Sequence, residues 1–279
     1  MSHIPLACSD FSFPLLPHEI ALDLIAGMGL EGVDISMILS NSHLPVEKVL
    51  ANPSAWGLDI RTRVTQRGLK IADVNFTPGW DFKDRALNHP EANVRQESSD
   101  RFRLALEFAS ECGAKHMTLL PGVHWESEPK ESSLKRSADE LAWRVEEASR
   151  AGVTVSVEPH LGSIIPNPPD TYSLLRASPG LTLTLDYTHL VYQGIPESEC
   201  EKLLPHASHF HARGGRLGRL QAPQKENTID YARVLQKMKE VGYQGYFAME
   251  YVWIDWEHCN EVDNISETIL LRDLANRFR

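Results

Sequence analysis

The sequence predicts an α/β fold, a single (β/α)8 barrel formed by residues 1–279. Three observations carry that expectation. Short apolar or threonine-rich runs alternate with amphipathic helical runs eight times along the chain. Glycine stands just before many of the strand-like runs, and no stretch has the composition of an interdomain linker. The longest aperiodic segments all follow the C-terminal end of a strand, the end on which barrel enzymes build their sites. Strands alternating with helices imply a parallel sheet, and eight such units in roughly 250 residues suit a closed barrel. A doubly wound open sheet that binds a dinucleotide would place G-x-G-x-x-G after an early strand. None is present there, and Gly214, Gly215 and Gly218 come late, among arginines, as a loop.

Residues 4–9 read as the first strand, before the turn-rich SDFSFPLLP. Pro17 opens the helix HEIALDLIAGMG, with Ile20, Leu24 and Met28 on one face. Residues 33–35 form strand two, residues 45–68 are helical with a break at Asn52-Pro53, and GLKIADVNF is strand three. A long loop, TPGWDFKDRALNHPEANVRQ, then leads to a helix over residues 97–112. GAKHMTLLPG is strand four and PGVHWESEPKE its loop. A helix over 132–151, capped by Ser132 or Ser133, precedes strand five, AGVTVSVEPH. A helix over 170–177, starting at Asp170, stops at Ser178-Pro179-Gly180 before strand six, LTLTLDYTHL. Pro196 opens a short helix ending near Leu204, then ASHFHARGG is strand seven, with ARGGRLGRLQAPQKEN as its loop. Thr228 caps YARVLQKMKEVGY, YQGYFAMEYV is strand eight, and a helix over 264–278 ends the chain.

Hydrophobic residues at 42% and charged residues at 24% are those of a soluble globular protein. The 38 acidic against 28 basic residues leave a net charge of −10, so no nucleic-acid partner held by phosphate neutralisation is expected. Cys8, Cys112, Cys200 and Cys259 form no CxxC pair and read as reduced thiols, Cys8 as an inert core thiol. The start MSHIPLACSDFSF lacks a charged region followed by a long apolar run, so no signal peptide is expected. No apolar run approaches the roughly 20 residues of a membrane span. The expectation is a cytoplasmic protein without a membrane partner.

Four strands end on residues that bind metals. VSVEPH ends on Glu158, LTLTLDYTHL runs into Asp186 with His189 three residues on, SHFHARG carries His211, and YFAMEY carries Glu250. Singly, each could be a cap, a turn former or an ion-pair partner. Together, at the ends of four neighbouring strands of a closed barrel, they can converge on one point. Three carboxylates and one imidazole suit Mn2+, Mg2+ or Co2+ better than a structural zinc. His209 and His211, two apart, share a strand face, and only one need be a ligand. His124-Trp125 could hold a sugar or pack on its own loop. His160 could support the site, and Tyr251, Trp253 and Trp256 could wall a pocket or form a subunit contact.

The order E…D-x-x-H…H-x-H…E resembles the sugar isomerase/epimerase superfamily with xylose-isomerase-like TIM barrels. The likeness covers most of the chain and is clearest in VSVEPH, LDYTH, HFHARGG and TIDYARVLQKMKEVGYQGYFAMEY. It implies Glu158, Asp186, His211 and Glu250 as metal ligands, Glu158 and Glu250 as the catalytic pair, and His189 on a substrate oxygen. It also implies a substrate-binding arginine shortly after strand seven, with Arg216 and Arg219 as candidates. Two positions depart from the pattern: Asp34 and Ser36 stand where strand two often carries a glutamate, and the loop after His211 is longer and richer in arginine.

The resulting expectation is a divalent-metal-dependent isomerase or epimerase of a keto-sugar or sugar derivative, with Mn2+ first and Mg2+ or Co2+ as alternatives. The ion would acidify the α-hydrogen by stabilising an enediolate, and two carboxylates would take and return the proton. The alternative is a lyase or dehydratase of the inosose, dehydroshikimate or 3-keto-glycoside type, reached when a leaving group sits β to the carbanion. Arg213, Arg216 and Arg219 leave a phosphorylated substrate open. A repair endonuclease would need more histidines for three zinc ions and a basic surface, and a non-enzymatic binding module comes last. The expected partners are a small carbohydrate and further copies of the chain, as a dimer or tetramer.

Overall fold

The computed structural model describes residues 3–39 and 42–279. Eight parallel strands close into a barrel in sequence order, with the last pairing back onto the first. They are β1 (Leu6–Ser9), β2 (Gly32–Ile38), β3 (Lys70–Thr77), β4 (His116–Leu119), β5 (Thr154–Val157), β6 (Thr182–Asp186), β7 (Ala207–Ala212) and β8 (Phe247–Met249). Around them run α1 (His18–Gly27), α2 (Val46–Ala51), α3 (Pro53–Thr65), α4 (Ala92–Cys112), α5 (Lys130–Arg150), α6 (Pro168–Ala177), α7 (Tyr187–Tyr192), α8 (Glu197–Cys200), α9 (Tyr231–Glu240) and α10 (Asn264–Phe278). The expected (β/α)8 architecture is the observed one.

Strand alternation divides each strand between two environments. In β6, Leu183 and Leu185 join the apolar layer under the helices, whereas Thr182, Thr184 and Asp186 take the opposite, inner face. The same parity sends Val33 and Ile35, Met117 and Leu119, and Phe210 outward into that layer. It leaves Asp34, Thr118, Ser156, His209 and His211 as buried polar groups inside the barrel. The apolar packing therefore lies between strands and helices, and the barrel axis is polar.

Several boundaries differ from the sequence reading for local reasons. The helix expected from residue 97 begins at Ala92 and takes up the end of the long β3 loop. Neither Ser132 nor Ser133 caps α5, which starts after Pro129 while the Ser133 hydroxyl donates to Glu128. Asp230, not Thr228, caps α9 by accepting from Arg233 N. A helix that the pattern does not announce, α7, follows β6 directly, with Asp186 as its N-cap. All four cysteines are buried and unpaired. No described helix is long and apolar enough to cross a membrane.

Candidate functional site

A cavity of about 360 Å³ opens at the C-terminal end of the strands. Glu158, one residue beyond β5, and Glu250, one beyond β8, both line it. Between them, on β7, His211 places Nδ1 3.3 Å from Glu158 Oε1 and 3.3 Å from Glu250 Oε2. Buried carboxylates this close to one imidazole perturb one another. Burial pushes Glu250 up to about 8, with His211 opposing that rise and Glu158 adding to it. Burial also acts to raise Glu158, but the bond and charge of His211 outweigh it and hold this carboxyl below its usual value. His211 goes the other way: burial alone would lower it, yet Glu250, Asp34 and Glu158 together carry it well above the usual imidazole range.

This donor set fits a divalent cation. One ligand atom each from Glu158, His211 and Glu250 lies within 4.8 Å of the others, and all three residues are buried. Two carboxylates and an imidazole are ligands for Mn2+, Mg2+ or a similar ion. His211 Nε2 has no hydrogen-bond partner and faces Asp34 Oδ2 at 3.6 Å. A carboxylate behind the second nitrogen is the usual support of a metal-ligating histidine. Asp34 Oδ2 also meets His209 Nε2 at 3.0 Å, so His209 stands behind the cluster rather than in it.

Asp186 is close by but differently engaged. Its Oδ1 accepts from Thr188 N at 2.8 Å and from the Thr188 hydroxyl at 2.7 Å, capping α7. Its Oδ2 accepts from the Arg213 guanidinium at 2.9 Å. Arg213 Nη2 also donates to His189 Nε2 at 3.2 Å. Burial first, then the charges of His160 and Arg213, hold His189 neutral, well below the usual imidazole range. His189 and Arg213 both line the cavity. The Arg213 backbone is pinned by two buried tyrosines: its N–H donates to Tyr231 OH at 3.0 Å, and Gly214 N–H donates to Tyr251 OH at 2.9 Å. A Cβ on Gly214 would sit 2.1 Å from Ala222 O, so this tight return of the loop requires glycine.

Three expected substrate contacts lie elsewhere. Arg216 and Arg219 pair backbone to backbone in a tight turn, and their side chains reach outward to Glu226 at 3.4 Å and Glu261 at 2.7 Å. His124 is exposed and turned back on its own loop, with Nε2 3.2 Å from Glu128 O. Trp125 packs edge-on to His89 and donates to Asn88, so it serves the loop and not the cavity. The arginine that faces the cavity is Arg213. Strand parity signals it, since residues 209, 211 and 213 share one face. The same parity links Glu158 to His160, whose ring lies 3.9 Å from that of His189. Trp80 and Phe82, from the loop after β3, and Phe11, from the turn after β1, complete the lining without any local sequence signal.

Solved structures of other proteins superpose on nearly the whole chain. D-psicose 3-epimerase from Clostridium cellulolyticum, determined with D-tagatose, matches with a TM-score of 0.78 at 13% identity, covering 99% of this chain and 99% of its own. The apo form of 3-keto-D-glucoside 4-epimerase from E. coli matches with a TM-score of 0.75 at 16% identity, covering 97% and 100%. A family 2 AP endonuclease from Brucella melitensis matches with a TM-score of 0.73 at 18% identity, covering 97% and 99%. At such identities the likeness establishes the fold and not a shared reaction. No curated protein sequence matches the chain. The sequence model described as xylose isomerase-like TIM barrel matches residues 22–273, and the chain belongs to that family.

Proposed function

We propose that the protein is a divalent-metal-dependent epimerase or isomerase of a keto-sugar or sugar derivative. One observation carries this reading: two buried carboxylates, Glu158 and Glu250, flank His211 at the floor of a cavity on the C-terminal face of the barrel. Glu158, His211 and Glu250 would hold the cation, with Asp186 as the fourth residue expected of the set. The bound ion supplies Lewis-acid stabilisation of negative charge on substrate oxygens.

The chain's own residues do the rest. Glu158 and Glu250 stand on two sides of the floor, so that one can take the proton α to the carbonyl while the other returns a proton. Asp34 fixes the ring of His211 from behind. His189, neutral and held by Arg213, offers its imidazole to a substrate hydroxyl or carbonyl oxygen. Arg213 balances the charge of Asp186 and keeps both partners in place before substrate arrives, which is the preorganisation that catalysis requires. The apolar walls exclude water from the exchanging proton.

The test is proton exchange at the α-carbon of a panel of ketoses in deuterium oxide. Chelation should abolish exchange, and Mn2+, Mg2+ or Co2+ should restore it. No metal-dependent exchange on any ketose, with cation occupancy verified, sinks the proposal. Loss of water or of an aglycone in the same incubation moves the reaction to the lyase class.

A further inference from the structure

We infer that the substrate is an uncharged keto-sugar bearing an apolar, ring-sized substituent, with the sugar over Glu158 and Glu250 and the substituent against Trp80, Phe82, Ile254 and Trp256. This rests on the keto-sugar reading above and extends it to the other end of the substrate.

The first ground is charge. Among the described residues, Arg213 is the one cationic side chain lining the cavity, and its guanidinium is committed to Asp186 at 2.9 Å, His189 at 3.2 Å and Thr188 Oγ1 at 3.2 Å. Asp81, Glu158 and Glu250 also line the cavity, with Asp186 directly behind Arg213. Away from the proposed cation site, a phosphate or carboxylate on the substrate would meet Asp81 and no uncommitted cationic side chain. The arginines that could have gripped an anion, Arg216 and Arg219, point away toward Glu226 and Glu261.

The second ground is the polarity of the walls. Beside its hydrogen-bonding groups the cavity has a large apolar share of lining, from Phe11, Ile38, Leu120, Val252 and Ile254, and the Asp81 carboxylate near the mouth already accepts from Lys83 N and Asp84 N. A polyol laid against these five side chains would lose water from its hydroxyls without gaining partners from them. An apolar substituent there gains by leaving water.

The third ground is the mouth. Trp80 is 63% exposed and Trp256 37% exposed, although both line the cavity. Trp256 stacks on His160 at 5.2 Å and 14°, and Phe82 meets both rings edge-on, at 4.7 Å from His160 and 6.3 Å from Trp256. The loops after β3 and β8 therefore touch across the mouth and leave indole surface open beside it. Among the described residues, the non-glycine residues with left-handed backbone are Arg85 in the first of these loops and Glu257 and His258 in the second. Such strain persists where the surrounding structure must aim particular side chains, and here it flanks the aromatic mouth.

Calorimetric titration reads this independently of turnover. The Mn2+-loaded protein is titrated with phenyl β-glucoside and methyl β-glucoside, and the metal-free protein with fructose and fructose 6-phosphate, so that the phosphate cannot report on the ion. Phenyl glucoside should bind about tenfold or more tightly than methyl glucoside, the scale of one well-stacked ring. Trp80→Ala and Trp256→Ala should each erase most of that ratio. Trp253→Ala, which alters a half-exposed indole outside the cavity, should preserve it. Fructose 6-phosphate should bind no tighter than fructose. Equal affinities for the two glucosides, a ratio indifferent to Trp80→Ala and Trp256→Ala, or preference for the phosphate overturns the inference. A persistent phenyl preference in a protein that exchanges no ketose proton supports the ligand class while removing the proposed reaction, so the two readings fail separately.

Discussion

The polar interior of this barrel has a lower and an upper layer, the lower built on β3 to β7 and the upper on the ends of β5, β7 and β8, and the two are satisfied to different degrees. In the lower layer, Thr118, Ser156 and Thr184 close a ring of hydroxyls, Thr184 lying 2.6 Å from each of the other two. Below it, His116 pairs with Asp73 and with Ser208, each at 2.7 Å, and Ser208 pairs with Thr182 at 2.6 Å. Burial holds His116 below its usual value against the pull of Asp73, so that its ring fits a neutral network. Asp73 Oδ2 is an oxygen of this layer left without a partner. Toward the C-terminal ends of β5, β7 and β8, Glu158, His211 and Glu250 crowd together, with one carboxyl driven up to about 8. Buried polar groups that complete one another tie strands in register. Buried carboxyls crowded onto one imidazole, with one of them driven up, are the arrangement expected of a functional site.

This contrast can be broken from either side. The largest expected effect is in the upper layer: Glu158→Gln or Glu250→Gln should lower the rate of α-proton exchange by about a thousandfold, in the range of lost general acid–base catalysis. The melting temperature should hold or rise for Glu250→Gln, whose carboxyl is driven up by burial, whereas Glu158→Gln gives up a favourable partner of His211. A variant that loses activity only by unfolding would place this layer among structural networks. In the lower layer, Asp73→Ala should cost about 2–3 kcal/mol in urea denaturation, because it strands a buried imidazole donor. The protein still folded should keep its metal-dependent exchange.

Smaller effects sharpen the boundary of the site. Arg216→Ala and Arg219→Ala should change kcat/KM by less than about twofold, the scale of exposed ion pairs remote from the chemistry. A KM effect of tenfold would return those arginines to the substrate. The smallest effect belongs to the loop after β4, where Arg136 first and Ser133 second hold the Glu128 carboxyl at about 2. Its folded value lies below the ordinary glutamate value of 4.5, so its contribution is present above pH 4.5 and lost as pH falls toward about 2. Glu128→Gln should flatten that acid slope in a pH series of thermal melts without altering exchange activity near neutrality.

Much of this was written locally. The alternation in LTLTLD separates outward leucines from inward threonines and Asp186 before any tertiary contact is considered. The eightfold rhythm, the break at Asn52-Pro53 and the final helix at Asn264–Phe278 follow from periodicity, proline geometry and capping, which act within a few residues. The convergence of Glu158, His211 and Glu250 was also legible, because barrel closure makes the ends of neighbouring strands meet. Loop conformation was not. Arg213, Arg216 and Arg219 lie within seven residues, yet only Arg213 faces the cavity, because Tyr231 from α9 and Tyr251 after β8 pin its backbone. The capping role of Asp186 was legible beside its expected role as a ligand, whereas its pairing with Arg213 was not. The sequence by itself determined the barrel and the acids at its rim, since both follow from short-range periodicity repeated along the chain. Tertiary structure alone decided which arginine enters, which histidine supports and which tryptophans frame the mouth, since those depend on contacts between loops far apart in sequence.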